Sequence, residues 1–447
     1  VSDTALILAA GRGTRMRSRL AKVLHPLCGR PMAGWVVRAA EAAGCATCLV
    51  VGHDREAVLE ALKPARHAVQ AEQLGTGHAV ACAAGGLPRT GRLLVLAGDT
   101  PLLRPETLEA LLDGHGSALC TVLTAEVGAA EATRRGYGRV VREGDRVARI
   151  VEHANASEAE RALGEINTGV YAFDAAWLLD EVVPALKPHP PKGEYYLPDA
   201  VAAAAALGRL SAVVCADPEE VTGVNDRAAL ADATAVLRAR IARRHLLAGV
   251  TLEDPTATWI DDTVVLAEDV TVEAGVVLRG STRVGRDSIL RAHSVLEDAV
   301  VGEGVSVGPF ARLRQGTVLG AGARVGNFVE TKNARLAEGV KAGHLSYLGD
   351  CAIGPDTNVG AGTITCNYDG FAKHHTAIGA GVFVGSNTAL VAPVSVGDGA
   401  LVGAGSVITA DVPGNALALG RGRQAVFEDR AETLRELFRT RSEGDDG

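Results

Sequence analysis

The sequence predicts two architectures in succession: an α/β domain on a mostly parallel sheet, then a β-solenoid with a six-residue period. Three observations carry this. Up to about residue 215, short apolar runs alternate with helical patterns. Asp226 to His245 contains neither glycine nor proline. From Ile260, aliphatic residues recur every six positions. At 447 residues the chain exceeds one ordinary hydrophobic core, so at least two domains are expected.

In the first part, Ala5–Ala9, Thr47–Val51 and Arg92–Ala97 read as strands, with helices over Pro31–Ala43, Arg55–Lys63 and Thr76–Gly85. Strands apolar on both faces are what a parallel sheet covered by crossover helices requires. Leu230, Leu237 and Ile241 then recur at helical spacing, which marks a linking helix. The expected divisions are 1–225, 226–248 and 249–447.

The repeat begins with Ile260, Leu266, Val272, Leu278, Val284, Leu290 and Leu296. Four residues after each stand Val264, Val270, Val276, Thr282, Ser288, Ser294 and Val300, all small or β-branched. The register slips by one and resumes at Val301, Val307, Leu313, Leu319 and Val325. It returns as Ile378, Val384, Leu390, Val396, Val402 and Ile408. A six-residue unit buries nothing alone, so stability must come from stacking units into a coil. The broken stretches Gly326–Leu336 and Thr363–Ala377 are expected to be loops leaving the coil, where sites are usually built.

Composition narrows the function classes. Hydrophobic residues make up 47% and charged ones 22%, as in a folded, soluble protein. A net charge of -8 disfavours generic binding to nucleic acid or to anionic membranes. No apolar run is long enough for membrane insertion and Val1 opens no signal peptide, so a cytoplasmic location is expected. The eight scattered cysteines suggest no disulfide framework. Cys45-Ala-Thr-Cys48 and Cys366 read as buried thiols, and His374-His375 as surface loop. The polar tail after Arg421, ending Glu-Gly-Asp-Asp-Gly, is expected to be mobile at its end.

Chemistry first shows after the first strand, in Leu8-Ala9-Ala10-Gly11-Arg12-Gly13-Thr14-Arg15-Met16. Glycines between a strand and a helix let backbone N–H groups approach phosphate. No Gly-Lys-Ser/Thr follows, and Met16 stands where a dinucleotide fingerprint needs glycine, so neither of those motifs applies. The string resembles the signature of sugar-phosphate nucleotidyltransferases, with Lys22 at that family's spacing. Gln70 to His78, Ala97-Gly98-Asp99, Gly136 to Arg139, Ile150-Val-Glu152, Ile166-Asn167-Thr-Gly169 and Gly223-Val-Asn225 match further segments in order. Position 97 is a departure, being Ala where many members carry Tyr. The resemblance implies an α/β, Rossmann-like nucleotidyltransferase domain. In it Leu8, Ala9, Ala10, Gly11, Lys22, Gln70, Gly75, Thr76, Ala97 and Gly98 bind UTP or its product, and Gly138, Glu152 and Asn167 hold the sugar. Asp99 and Asn225 would hold Mg²⁺, with Arg15 and Lys22 neutralising the triphosphate.

The solenoid carries a second set. Pro309 to Arg314, Asn327 to Lys332, Lys341 to Asp350 and Asn358 to Gly370 place Arg, Lys, His and Tyr where a purely structural coil has no use for them. Hexapeptide-repeat proteins, which this half resembles, form left-handed parallel β-helices and generally assemble as trimers. The polar segments resemble the acetyltransferase half of the bacterial bifunctional GlmU family. That resemblance implies Arg314 and Lys332 on a sugar phosphate and His344 as general base. Tyr347, Asn358 and Asn367 would orient sugar and base, with Tyr368 also near the thioester donor. Ala361, Ser386, Ala404 and Arg421 would line the acetyl-CoA path. A histidine suits the task because imidazole, with an ordinary pKa of about 6.5, can take a proton at neutral pH.

Together the resemblances imply acetyl transfer from acetyl-CoA to glucosamine-1-phosphate, then uridylyl transfer from UTP to N-acetylglucosamine-1-phosphate. The product, UDP-N-acetylglucosamine, would feed peptidoglycan and lipopolysaccharide synthesis. The partners are these small molecules and a homotrimer's other subunits. One alternative is a single-activity sugar-1-phosphate nucleotidyltransferase with a structural β-helix; another is a non-catalytic trimeric scaffold.

Overall fold

The computed structural model describes residues 3–190 and 193–444. Val1 and the last three residues of the tail lie outside the described residues. The chain divides into two compact units, one running to Arg244 with Ile260–Asp262 added, the other formed by His245–Trp259 and Thr263 onward.

The first unit is built on a nine-stranded sheet. Its main path runs Leu210–Cys215, Cys120–Glu126, Glu165–Asp174, Arg92–Ala97, Thr4–Ala9, Ala46–Val51, His67–Val69. All neighbours on this path are parallel except Glu165–Asp174, which is antiparallel to both its neighbours. The hairpin Arg139–Glu143/Arg146–Val151 joins beside it. Met32–Ala42, Arg55–Leu62 and Thr76–Ala83 are helices, as the apolar spacing predicts. They cover opposite faces: Val36, Ala40 and Val58 pack with Ile7 and Leu49, whereas Ala79 and Val80 pack with Leu6 and Val50. Leu6 and Ile7 are both fully buried, which explains why the strand shows no polar alternation.

From Thr4–Ala9 the chain builds outward through two strands, then returns to add Arg92–Ala97 on the other side. The loops leaving Ala9 and Ala97 therefore diverge, and a crevice opens between them. Ligands of open α/β sheets sit at such a reversal point. The helix Arg227–Leu247 buries Leu237 and Ile241, two of the residues that predicted it.

The second unit is a parallel β-helix of short strands. A ten-stranded sheet forms one face; the other two faces merge into a fifteen-stranded sheet. Strand partners on the ten-stranded face stand about 17 or 18 residues apart, as in Thr271↔Ile289 and Ile289↔Ser306. This is three hexapeptides per coil. Leu266, Val272, Leu278, Val284, Leu290 and Leu296 all point inward, as do Val264 to Ser294 at the second position. Val300 does not: it is 44% exposed, and Ala299 takes the inward place, so the slip falls one residue earlier than the apolar pattern suggests.

The two expected excursions are corrected differently. Gly326–Leu336 does not leave the coil: Glu330–Leu336 is a strand paired along its length with Tyr347–Ile353. Thr331 occupies an inward position that large aliphatics fill elsewhere, and the register then shortens by one to reach Leu336, which hid the repeat. Of Thr363–Ala377, the strands Ile364–Cys366 and Thr376–Ile378 stay in register. Only the residues between them form a loop, and it lengthens the step from Asn358 to Phe383.

Candidate active sites

The first site starts from the turn after Ala9. Gly13 has a left-handed backbone, with φ of 61°, and a Cβ there would come within 2.4 Å of Lys22 Cβ. Only glycine lets the loop pass this close to Lys22. A Cβ at Gly11 would meet nothing within 4 Å, so the backbone there is open to a ligand. Gly98 donates its N–H to Leu8 O at 2.9 Å, which fixes the spacing of the two loops.

Four predicted residues converge beside this turn. Val224 donates its N–H to Asp99 O at 2.8 Å, bringing Asn225 to the Asp99 carboxylate. Lys22 Nζ forms an ion pair with Asp99 Oδ2 and donates to Asn225 Oδ1 at 3.1 Å. Arg15 Nη2 donates to the same oxygen at 2.9 Å. Two oxygens of the kind Mg²⁺ prefers thus converge on one cationic group. Mg²⁺ typically takes one or two protein ligands and completes its shell with phosphate and water. The donor set fits that ion, and the described residues hold no cluster of three or more His, Cys, Asp or Glu that would suit another mode.

Leu8, Thr76, Ala97, Glu152 and Asn167 line a neighbouring cleft of about 720 Å³, together with Gly169, Tyr171 and Tyr196. Asn167 Nδ2 donates to Tyr171 Oη at 2.9 Å, and its backbone N–H to Gly138 O at 2.9 Å. Burial pushes the Glu152 carboxyl above its ordinary pKa. Gln70 is buried and its Nε2 is spent internally, donating to Gly75 O at 3.0 Å with His78 Nδ1 at 3.2 Å. Tyr195 and Tyr196 are contributions that the motifs missed. The Tyr195 carbonyl accepts from Gly77 N–H at 2.8 Å and would lie 2.5 Å from a Cβ at Gly75.

In the second unit, one corner of the coil repeats. Asn327 and His344 are paired in register, and Asn327 Oδ1 lies 2.6 Å from His344 Nδ1. An amide oxygen only accepts, so Nδ1 carries the hydrogen and Nε2 keeps its lone pair. Three residues after each strand start, Ala361, Ser386 and Ala404 take the same place on successive coils. Asn387 N–H donates to Ala361 O at 2.7 Å, Gly405 N–H to Ser386 O at 2.8 Å, and Arg421 Nη1 to Ala404 O at 2.8 Å. His344 thus stands at the head of a column made of the residues expected to face the acetyl donor.

Around the adjoining face, Arg314 Nη1 donates to Glu330 Oε1 at 2.8 Å, and Glu330 pairs in register with Tyr347. Lys332 is held below its ordinary pKa first by the side chain of Lys373 close beside it, then by the charge of Arg314. Three cations thus crowd together with Asp350 as a nearby counter-charge, an arrangement that a phosphate dianion would relieve. Asp350 Oδ2 accepts from Asn367 Nδ2 at 2.5 Å, tying the loop base to this face. Asn358 lies on the ten-stranded face, paired with Lys341 and Phe383.

Lys373, Glu330 and Asn327 were not singled out from sequence. Lys373 sits beside the pair read as plain surface; His374 Nε2 in fact bonds Asp369 Oδ2 at 2.7 Å and closes the loop, with the Tyr368↔Lys373 bridge. The spacing from Tyr368 to Lys373, a short Asp-Gly turn, is the signal that could have found it. Cys366 is half-buried, not buried; Cys45 and Cys48 are buried, and every cysteine is free.

Comparison with known proteins follows this division. The MobA-like NTP transferase domain matches residues 5–163, and the hexapeptide repeat of succinyl-transferase matches residues 375–410. "Bifunctional protein GlmU" of Pelobacter propionicus is 49% identical, over 94% of this chain and 96% of its own length. The protein of that name from Exiguobacterium sp. is 49% identical over 94% and 97%. That of Geobacter sulfurreducens is 46% identical over 94% and 96%.

Proposed function

The chain belongs to the family of bifunctional GlmU proteins, and on that premise we propose that its two units catalyse the last two steps to UDP-N-acetylglucosamine. The second unit transfers acetyl from acetyl-CoA to glucosamine-1-phosphate. The first unit transfers uridylyl from UTP to the resulting N-acetylglucosamine-1-phosphate and releases pyrophosphate. The observation that carries the two-catalyst reading is His344, with Nδ1 against Asn327 at a corner of the coil, together with the Arg314–Lys332–Lys373 cluster on the adjoining face. A β-helix serving only stability has no need of that arrangement.

For acetyl transfer, the cation cluster receives the sugar phosphate and presents the amine to the corner. Nε2 of His344 takes the amine proton as nitrogen attacks the thioester carbonyl, and the thiolate of CoA leaves. Ala361, Ser386, Ala404 and Arg421 supply the track for CoA. For uridylyl transfer, a phosphate oxygen of the sugar attacks the α-phosphorus of UTP. With a second phosphate pKa of about 6, that oxygen is already largely ionised, so no general base is required. Lys22 and Arg15 neutralise the triphosphate once it draws them from Asp99 and Asn225. Asp99 and Asn225 would hold Mg²⁺, which when bound spreads the charge of the phosphates. Glu152 and Asn167 orient the sugar in the cleft beside them.

We also propose a homotrimeric, cytoplasmic enzyme. Phe371, 98% exposed at the tip of the loop, and the exposed Tyr368 support an acetyl site completed by a second copy. Among the described residues no helix is long and apolar enough to cross a membrane.

The test mixes pure protein with glucosamine-1-phosphate, acetyl-CoA, UTP and Mg²⁺ and follows products by mass spectrometry, omitting each reagent in turn. Both the acetylated sugar phosphate and its UDP derivative should appear. Uridylyl transfer to supplied N-acetylglucosamine-1-phosphate without any acetyl transfer would reduce the β-helix to a scaffold.

A further inference from the structure

One cleft of the first unit takes part in neither reaction. It encloses about 250 Å³ between the helix Met32–Ala42, the segment Pro101–Pro105 and the helix Arg227–Leu247. Trp35, Leu103 and Ile241 give it apolar walls, whereas Arg38, Arg240 and Arg244 bring guanidiniums to the same space.

The local charges do not balance. Asp262, whose side chain is 2% exposed, accepts from Arg30 Nη2 at 2.8 Å and Arg244 Nη1 at 2.9 Å, and pairs with Arg38. Burial alone would raise its pKa, but hydrogen bonds from these three arginines hold it below the ordinary value. One carboxylate against three guanidiniums leaves two positive charges in surplus. Arg38 and Arg30 also lie over the Trp35 ring, at 5.5 and 5.7 Å from its centroid.

Arg240 adds to the deficit of acceptors. Its Nη1 donates to Leu102 O at 2.6 Å, but Nη2 is buried with no hydrogen-bond partner. Asp217 Oδ2 is 3.8 Å from that nitrogen, and Arg104 already bonds the same carboxylate at 3.0 Å. Burial, then the neighbouring Arg104, pushes the Arg240 guanidinium below its ordinary pKa against the opposing charges of Glu220, Asp217 and Glu219. A buried donor without an acceptor is destabilising, the more so when charged, so an arriving anion has something to relieve.

We propose that this cleft binds a small organic anion: a carboxylate or phosphate monoester on an apolar body about the size of a phenyl ring. The apolar body packs against Trp35 and Ile241 while the anionic end meets Arg38, Arg240 and Arg244. The volume lies just below the range of about 300–1,000 Å³ usual for drug-sized sites, which favours a small ligand. The site is distinct from the phosphate cradle, but Pro101 and Leu103 in its wall follow Asp99 directly in the chain.

The test uses the full chain carrying Trp177→Phe and Trp259→Phe, so that Trp35 alone reports, with UTP and CoA filling the substrate sites. Phenylacetate and phenyl phosphate should each change Trp35 emission in a saturable way, whereas neutral benzyl alcohol should not. Arg38→Gln removes one surplus charge and leaves Asp262 paired with Arg30 and Arg244; it should weaken both anions about tenfold. Ala42→Phe, at an exposed helix end lining the cleft, fills the space without adding a second tryptophan and should block them outright while uridylyl transfer continues. No saturable response to either anion at millimolar concentration overturns the proposal. So does binding of benzyl alcohol as tight as that of phenylacetate, or undiminished anion binding in Ala42→Phe.

Discussion

Asn327 Oδ1 lies 2.6 Å from Nδ1 of His344, one coil away on the same corner of the β-helix. The contact sets the imidazole's tautomer and turns its second nitrogen outward, so in the proposed acetyl transfer a residue with no reacting atom would decide whether His344 can act as base.

Replacing His344 with Ala should lower acetyl transfer by about 10²–10⁴-fold, the usual worth of a positioned acid–base group. Asn327→Ala should lower kcat by a smaller factor, with KM for glucosamine-1-phosphate little changed. Uridylyl transfer should be untouched in both. The rates are read separately, as CoA thiol release and as pyrophosphate release. Equal loss of both activities would mean misfolding, and no loss in His344→Ala would remove it as the base.

Asp99→Ala should abolish most Mg²⁺-dependent pyrophosphate release and leave acetyl transfer intact. Lys22 then loses its ion-pair partner while keeping the Asn225 carbonyl. Titrating Mg²⁺ against rate tests the metal assignment, which predicts a shift to higher concentration in Asn225→Ala.

Lys373→Ala should raise KM for glucosamine-1-phosphate by about tenfold with kcat nearly constant, because it removes phosphate binding but no proton transfer. Removing Lys373 also removes the main influence that lowers the Lys332 pKa, so Lys332 should titrate higher in this variant. NMR of the lysine side chains reads the second effect directly.

Glu152 gives a pH prediction. Its folded-state pKa is raised by burial, so its contribution to stability is fully present below the ordinary carboxyl range and is lost as pH rises through the folded value. Glu152→Gln escapes that loss. The Tm difference between variant and parent should therefore move in favour of the variant from pH 4 to pH 7, even as sugar binding weakens. A difference independent of pH would argue that the carboxyl is well solvated.

Gly326→Ala should destabilise the β-helix and slow acetyl transfer together. A Cβ there would come within 1.9 Å of the Gly343 carbonyl oxygen, a backbone atom that cannot swing aside. Gly326 and Gly343 immediately precede Asn327 and His344, so the clash would push apart the pair to which the proposed acetyl transfer assigns the proton. Thermal unfolding and CoA release measure the two effects on one sample.

Periodicity made the coil legible. A side chain that must point inward at every sixth position leaves its mark in sequence whatever its neighbours are, and Leu266 through Leu296 are buried as that rule demands. The same rule misled where Thr331 fills an inward place, because a polar side chain carries no apolar signal there. The glycine turn after Ala9 was legible too, since Gly13 answers a local backbone requirement close to Lys22.

What the sequence determined by itself was therefore local or periodic: the α/β run, the glycine turn, the hexapeptide coil and the residue types suited to each reaction. Only the tertiary structure decided which distant groups meet. Asn225 reaches Lys22 across the first unit, Lys373 stands beside Lys332, and three arginines share the single carboxylate of Asp262. Hydrogen bonds and charges act over a few ångströms of space, and separation along the chain carries no record of which residues folding will bring that close.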